Sequence, residues 1–346
     1  MNISPVSSTP SNSPHKCSRT AILFAVLLLF LVSGLILSLS LGSTDLSLGE
    51  ALRAVLAGNA ESTAYRIFCY VRLPRTLAAL ITGAALATAG VILQAVLGNP
   101  MAAPNIIGVN AGAGLAAVWL IALFPAAASW LPLFSFVGAL SACLIIWLIA
   151  ALTGASRISI TLVGVAISTI LTAGINTAKT LYPDSILDAN SFLVGGLSGV
   201  TPSRVLPAAL LILAGLFCTL LCSARIDLLS IGEESAAALG IRVPLTRLML
   251  LGLSALLAGT AVSVAGLLGF VGLLVPHILR RLTGTLHRRL LPAAMLGGAA
   301  LVLWCDLLSR LIFSPLELPV GIPLSLIGGP FFIFLLLKGK GGATRA

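Results

Sequence analysis

Long apolar runs separated by short polar segments dominate this chain. Residues 20–41 carry no charged side chain, and neither do residues 76–124. A helix that crosses a membrane needs about 20 mainly apolar residues, so both runs are long enough. The first run exceeds the roughly 7–15 apolar residues of a cleaved signal peptide. We therefore interpret it as a retained first membrane helix.

The apolar pattern predicts an all-α, polytopic membrane protein with about ten transmembrane helices in one bundle. No stretch shows the roughly ten-residue alternating segments of a membrane β-barrel. Segment 270–282 is short for a hydrocarbon core of roughly 30 Å, so it must be shielded by protein or belong to a broken helix. Pro319, Pro323 and Pro330 predict a kinked or two-piece last span. The predicted spans are 21–41, 74–97, 106–124, 131–152, 159–181, 205–223, 245–268, 270–282, 291–312 and 320–338.

Composition supports this class. Apolar residues make up 58% of the 346 residues and charged residues 9%, against roughly 25% charged residues in soluble proteins. The 34 glycines suit helices that approach each other closely in lipid. The 6 cysteines have no spacing typical of a zinc site or a disulfide framework, so we expect small apolar packing residues.

The formal charge of +10 reports topology, because the basic residues lie between the apolar runs. With both termini in the cytoplasm, 13 of the 20 Lys and Arg residues fall inside and 7 outside. This bias predicts a multi-pass protein of the cytoplasmic (inner) membrane and no nucleic-acid partner. Segments 1–19 and 341–346 are predicted cytoplasmic tails, the first disordered. The outer seven are Arg53, Arg66, Arg72, Arg75, Lys179, Arg204 and Arg310.

The second predicted span carries a smooth helical face. Gly83, Ala87, Gly90 and Gln94 recur at helical spacing. Small residues at this spacing favour close helix packing, and a lining of a transport path is the alternative. The following loop, residues 98–108, contains Asn-Pro and Pro-Asn within a few residues. These two dipeptides interrupt helical structure at two points.

The stretch 226–244 predicts a short helix outside the membrane. Ser230 and Glu233 have the spacing of a capping box, and Gly240 stands where a glycine ends a helix. Such a helix suits a partner protein that receives it in a groove. A surface helix lying on lipid headgroups is the alternative.

Few residues offer chemistry. His277 has no other His, Cys or carboxylate close to it in sequence, so we predict no metal site and no cofactor. Asp306 and Arg310 are either a self-satisfied intrahelical pair or include an outward-facing cation that awaits an external carboxylate. No Walker A motif and no catalytic constellation occur, so the chain is predicted not to be an enzyme, and ATP hydrolysis must occur on another chain.

Taken together, these segments resemble the FecCD-type permeases of type II ABC importers, which carry iron-siderophores, haem and cobalamin. The resemblance runs in order over about residues 20–340. One departure is Met101, where the family usually has Leu. The matching segments include Arg72-Leu-Pro-Arg75, Gly83–Ala87, Asn99–Pro104, Phe270–His277, His287-Arg288, Asp306 with Arg310, Glu317–Gly321 and Gly328–Phe332.

The resemblance implies a fold like that of the cobalamin-importer permease, with 20–340 as one permease domain. It also implies a second permease subunit, two cytoplasmic ATPase subunits and an extracytoplasmic binding protein. Arg72, Arg75 and Arg310 match residues that dock the binding protein. Asn99, Met101 and Ser159 match a cytoplasmic gate. The segment 226–244 matches the part that docks into the ATPase, and its named residues are Ser230, Gly232, Glu233, Ala237, Leu239 and Gly240.

The expected function is the permease subunit of an ATP-driven importer that moves an iron-siderophore-type chelate by alternating access. Haem or cobalamin is the alternative cargo, and identical or related paired permeases are both open. An ion-coupled secondary transporter is a further alternative, but it requires ionisable residues at the bilayer centre. Those are nearly absent from the predicted spans.

Overall fold

The computed structural model describes residues 14–42, 47–58, 60–105, 108–153, 157–186 and 190–340. Within these ranges the chain is helical and contains no strand. Each predicted span coincides with a helix. These helices are α1 (Pro14–Ser40), α4 (Leu73–Leu97), α5 (Val109–Leu123), α6 (Leu131–Thr153), α7 (Arg157–Leu181), α10 (Pro202–Leu221), α13 (Val243–Ala265), α14 (Val271–Thr283), α15 (His287–Leu311) and α16 (Gly321–Lys340).

Short helices join these spans. Between α1 and α4 lie two of them and one turn of π-helix, Phe68–Arg72, and a 3₁₀ segment, Pro125–Trp130, leads into α6. The short helices are α2 (Leu48–Leu56), α3 (Thr63–Ile67), α8 (Pro183–Ile186), α9 (Asn190–Val194), α11 (Ser223–Ile231) and α12 (Glu233–Ala238).

Helix length and composition agree with a membrane protein. Among the described residues, seven helical stretches are long and apolar enough to span a bilayer, and 109–123 and 321–335 are shorter apolar helices. The 13-residue α14 packs against α4, α15 and α16, so protein shields it as predicted. The last span contains Pro330 but runs as one continuous helix, so the two-piece alternative is wrong.

Helix α4 lies at the centre of the bundle. It packs along α15 and α13 and also contacts α14 and α10. A Cβ added to Gly83 would fall on the carbonyl group of Gly298, and one added to Gly90 on that of Gly272. The predicted smooth face is therefore a packing face, because small residues let the α4 backbone touch the backbones of α14 and α15.

A strained break separates α13 from α14. Phe270 adopts a left-handed conformation, with φ at 64°, which is uncommon for a bulky residue. Its ring lies where a Cβ on Gly328 of α16 would be. The break is also tied to its surroundings by hydrogen bonds, since the Leu267 N–H donates to Phe192 O at 3.0 Å and the Asn110 amide donates to Leu268 O at 3.2 Å.

Helices α4 and α15 run in opposite directions, so the start of α4 lies beside the end of α15. The two ends of the bundle therefore carry different sets of residues. The arginine end holds Arg72, Arg75 and Arg310. The coupling end holds the segment 222–243 together with the first turn of α15. Each end brings together residues that lie far apart in sequence.

Candidate transport site at the two ends of the bundle

The arginine end is organised around the buried carboxylate of Asp306. Arg75, in the first turn of α4, places Nε 2.9 Å from Asp306 Oδ1, and its Nη1 lies 2.6 Å from Glu317 Oε2. Asp306 is 0% exposed and Arg75 is 6% exposed. A buried charge is tolerated only when it is paired and hydrogen-bonded, and both charges meet that condition here.

Arg310 extends the same cluster towards α1. Its Nη2 lies 3.1 Å from Asp306 Oδ2 and donates to Ser38 Oγ at 2.8 Å. Arg72 donates from Nη1 to the carbonyl oxygens of Leu39 and Ser40, at 2.9 and 2.8 Å. The guanidinium groups thus hold the ends of α1, α4 and α15 together.

This geometry decides between the two sequence interpretations of Asp306 and Arg310. They form the intrahelical pair, and Arg75 joins it from α4. The expectation of an outward-facing cation at Arg310 is wrong, because Arg310 is only 3% exposed and Asp306 already faces it. The docking role assigned to Arg72, Arg75 and Arg310 remains a prediction.

The coupling end contains the short helix that the sequence predicts, with a different start. Helix α12 begins after Gly232, whose φ is 126°. Ser230 is still inside α11 and donates to Ile226 O at 2.8 Å, so the capping box is wrong. An N-cap residue needs an extended backbone, whereas Ser230 is already helical. Glu233 instead pairs with Arg247 of α13.

The end of α12 is as predicted. Gly240 has a φ of 84°, and its N–H donates to Ala237 O, while the Ile241 N–H donates to Ala236 O. These bonds satisfy carbonyls at the helix end. Ala237 and Leu239 lie on the surface, and Leu239 is 63% exposed, so the helix presents an accessible face.

The residues predicted as a gate lie beside the coupling end. Asn99 Oδ1 accepts from the Met101 N–H at 2.9 Å, and both residues are half-buried. Ser159 lies in α7, but its side chain lies outside the described part of the structure. We call the loop that contains Asn99 and Met101 the gate loop. A cavity of about 210 Å³ lies between the gate loop and the coupling end. Its lining includes Gln94, Gly98, Pro100, Ser230, Arg280, Thr285 and His287.

A contact that the sequence interpretation missed joins α11 to α15. Asp227 Oδ1 accepts from the backbone N–H of His287 at 2.8 Å and lies 2.7 Å from its ring Nδ1. The two residues are 60 positions apart. The only local signal was that the first turn of α15 contains basic residues and no acidic residue. The positive end of this helix therefore has no carboxylate of its own to stabilise it.

A polar groove along α7 was also missed. It has a volume of about 450 Å³ and includes Thr169, Thr172 and Asn176 of α7 together with Asn105. The two threonine hydroxyls donate to carbonyls of their own helix. The Asn176 amide has no hydrogen-bond partner among the residues that the structure describes, and the residue is exposed. Serine and threonine recur along this face at helical spacing, a pattern visible in the sequence.

A bundle of helices long and apolar enough to cross a bilayer defines a polytopic membrane protein. The chain belongs to the FecCD transport family, whose model matches residues 27–338. It is 35% identical over 329 residues to the Fe(3+)-citrate import system permease protein YfmD of Bacillus subtilis, covering 95% of this chain and 98% of the relative. It is also 36% identical over 313 residues to the hemin transport system permease protein HmuU of Yersinia pestis, covering 88% and 94%.

The fold agrees with a solved structure. A metal-chelate type ABC transporter in an inward-facing conformation matches with a TM-score of 0.80 and 30% identity. The match covers 92% of this chain and 99% of that chain. The sequence prediction of the family and of an all-α membrane bundle is therefore confirmed.

Proposed function

We propose that this chain is the membrane permease subunit of an ATP-binding-cassette importer that carries a ferric siderophore-type chelate. The observation that carries the proposal is the match of nearly the whole chain to import permeases, several of which are named for Fe(3+)-citrate or iron(3+)-hydroxamate. The chain acts as a conduit in the cytoplasmic membrane, with both termini inside, and a separate subunit hydrolyses ATP.

Helix α12 is the element that receives force from the ATPase. It connects α11 to α13, and it is flanked by Gly232 and Gly240. Leu239, which follows it, and Ile231, which ends α11, are 63% and 65% exposed. A short helix with exposed apolar ends suits a groove on a partner protein.

A second permease subunit covers the groove on α7. An exposed amide such as Asn176 is costly against hydrocarbon and favourable against protein or water. The open groove with Thr169, Thr172 and Asn176 therefore fits the side of a pathway that two permease subunits enclose. Its wall offers hydroxyls and two amides without charge, so chelate selectivity rests mainly with the binding protein.

The binding protein docks at the arginine end. Direct pairing of its acids with Arg72, Arg75 or Arg310 requires those buried side chains to leave their present partners. Arg53, Arg66 and Arg204 are exposed at the same end and need no such change. Charge reversal of the exposed residues tests this. The double variant Arg66→Glu with Arg204→Glu weakens docking in a salt-sensitive way if the exposed residues steer it. Arg75→Glu is a poorer test, because it would place a second acid against Asp306.

The function is tested by reconstitution. Proteoliposomes that contain the permease with its ATPase subunit are supplied with binding protein and a ferric siderophore, and uptake of labelled iron is followed. The expected result is uptake that needs ATP and binding protein. Uptake that persists without the ATPase and follows a proton or sodium gradient would instead support a secondary transporter. Transport of hemin in place of the siderophore would reassign the cargo, as the Yersinia pestis relative suggests.

A further inference from the structure

Two carboxylates attach the coupling segment, residues 226–244, to the rest of the bundle, and they differ in their exposure to water. Glu233 pairs with Arg247, and 47% of the Glu233 side chain is exposed. An exposed pair of this kind contributes little. Asp227 contacts His287, and these two side chains are 26% and 5% exposed. This contact is the better shielded of the two, and it includes the backbone N–H of His287. It therefore ties the segment directly to the backbone of α15.

Asp227 acts as the cap of α15 from another helix. Leu286, the residue before α15, provides no side-chain cap, and no acid lies in the first turn. That turn instead contains His287, Arg288 and Arg289, which stand unfavourably at the positive end of the helix. By accepting from the His287 N–H, Asp227 supplies both the missing hydrogen-bond acceptor and the missing negative charge.

Helix α15 joins this cap to the opposite end of the bundle. It has 25 residues, which span roughly 37 Å at 1.5 Å per residue. Asp306 and Arg310, in its last two turns, belong to the buried cluster at the arginine end. A displacement of α11 therefore reaches the arginine end along one continuous helix.

The opposite side of the junction is loosely packed. The cavity of about 210 Å³ lies there, between the α11–α15 contact and the gate loop residues Gly98 and Pro100. His287 Nε2 and Gln94 Oε1 have no hydrogen-bond partner within the described residues, although both residues are at most 4% exposed. Asp227 thus hydrogen-bonds α11 to α15, whereas the His287 and Gln94 atoms that face the cavity form no such bond within the described residues.

We propose that Asp227 is a positioning residue that couples the ATPase-driven movement of the 226–244 segment to α15, and through it to the buried ion cluster at the arginine end. The inference rests on the proposed function of the chain. Without the Asp227 cap, α11 and α12 still meet the ATPase, but their movement no longer carries α15. ATP is then hydrolysed without transport.

The experiment measures chelate transported per ATP hydrolysed in the reconstituted complex. Asp227→Ala is expected to lower this ratio at least tenfold while ATP hydrolysis stays within about twofold of the wild type. Asp227→Asn, which keeps an acceptor oxygen, is expected to give an intermediate ratio and serves if the alanine variant fails to fold. Asp184→Asn, a matched change at an exposed acid of α8, is expected to leave the ratio unchanged.

Two further outcomes sharpen the test. His287→Ala keeps the backbone N–H that Asp227 accepts from, so its ratio is expected to stay well above that of Asp227→Ala; an equal loss would overturn the assignment to the helix cap. A variant that is merely less stable loses hydrolysis and transport together, with an unchanged ratio, and this result at Asp227 overturns the inference alone. A wild-type complex without ATP-driven uptake overturns the proposed function itself.

Discussion

Replacing Asp306 by Asn should destabilise the protein more than any other single isosteric change at the arginine end. The substitution removes one negative charge that faces both Arg75 and Arg310. Removing one partner of a buried ion pair costs about 3–5 kcal/mol, because the other charge stays buried without compensation. Arg75 keeps Glu317 and Arg310 keeps the Ser38 hydroxyl, so the loss should lie near the lower limit, about 3 kcal/mol.

Glu317→Gln is the matched control within the same cluster. Glu317 also contacts Arg75, at 2.6 Å, but 27% of its side chain is exposed. Water screens such a pair, and the loss should be at most about 1 kcal/mol. The comparison changes one carboxylate to an amide in both variants, so the difference isolates burial.

The assay is unfolding of the purified protein by sodium dodecyl sulfate in mixed micelles, followed by far-ultraviolet circular dichroism. Asp306→Asn, Glu317→Gln, Arg310→Met and the double variant Asp306→Asn with Arg310→Met are each compared with the wild type. A loss below 1 kcal/mol in Asp306→Asn, or a larger loss in Glu317→Gln, would refute the reasoning. A coupling energy near zero between Asp306 and Arg310 would show that their proximity carries no stability.

Three further changes test separate parts of the fold. Gly90→Ala should strongly reduce the yield of folded protein, because its methyl group would fall on an α14 carbonyl, whereas Gly252→Ala has open space and should be neutral or stabilising by up to about 1 kcal/mol. Gly328→Ala should cost about 1–3 kcal/mol by overpacking against the Phe270 ring, and Phe270→Gly in the same chain should recover most of that loss in the detergent titration. Ser230→Ala should change stability by less than about 0.5 kcal/mol, since Ser230 lies inside α11; a loss of about 1 kcal/mol would restore it as a helix cap.

Hydropathy alone determined the membrane-spanning helices of this protein. The bounds of each predicted span agree with those of a helix within about four residues, down to the short α14, except that α1 begins at Pro14 and not at residue 21. The end of α12 at Gly240 was also readable, because a left-handed glycine is a local signal. The family followed from motifs that occur in order along the chain.

Local signals failed where two conformations compete over a few residues. Ser230 and Glu233 have the spacing of a capping box, yet the helix break falls at Gly232. The glycine adopts a conformation that other residues avoid, and this moves the break past the serine. Glu233 pairs with Arg247 on another helix.

The partners of polar residues on different helices were decided only by the tertiary structure. Arg75 meets Asp306 across 231 positions, and Asp227 meets His287 across 60. An apolar pattern repeats along each helix and so reveals which helices form, because every turn contributes to it. A buried charge has only one or two partners, and helix packing selects which oppositely charged side chains lie within reach.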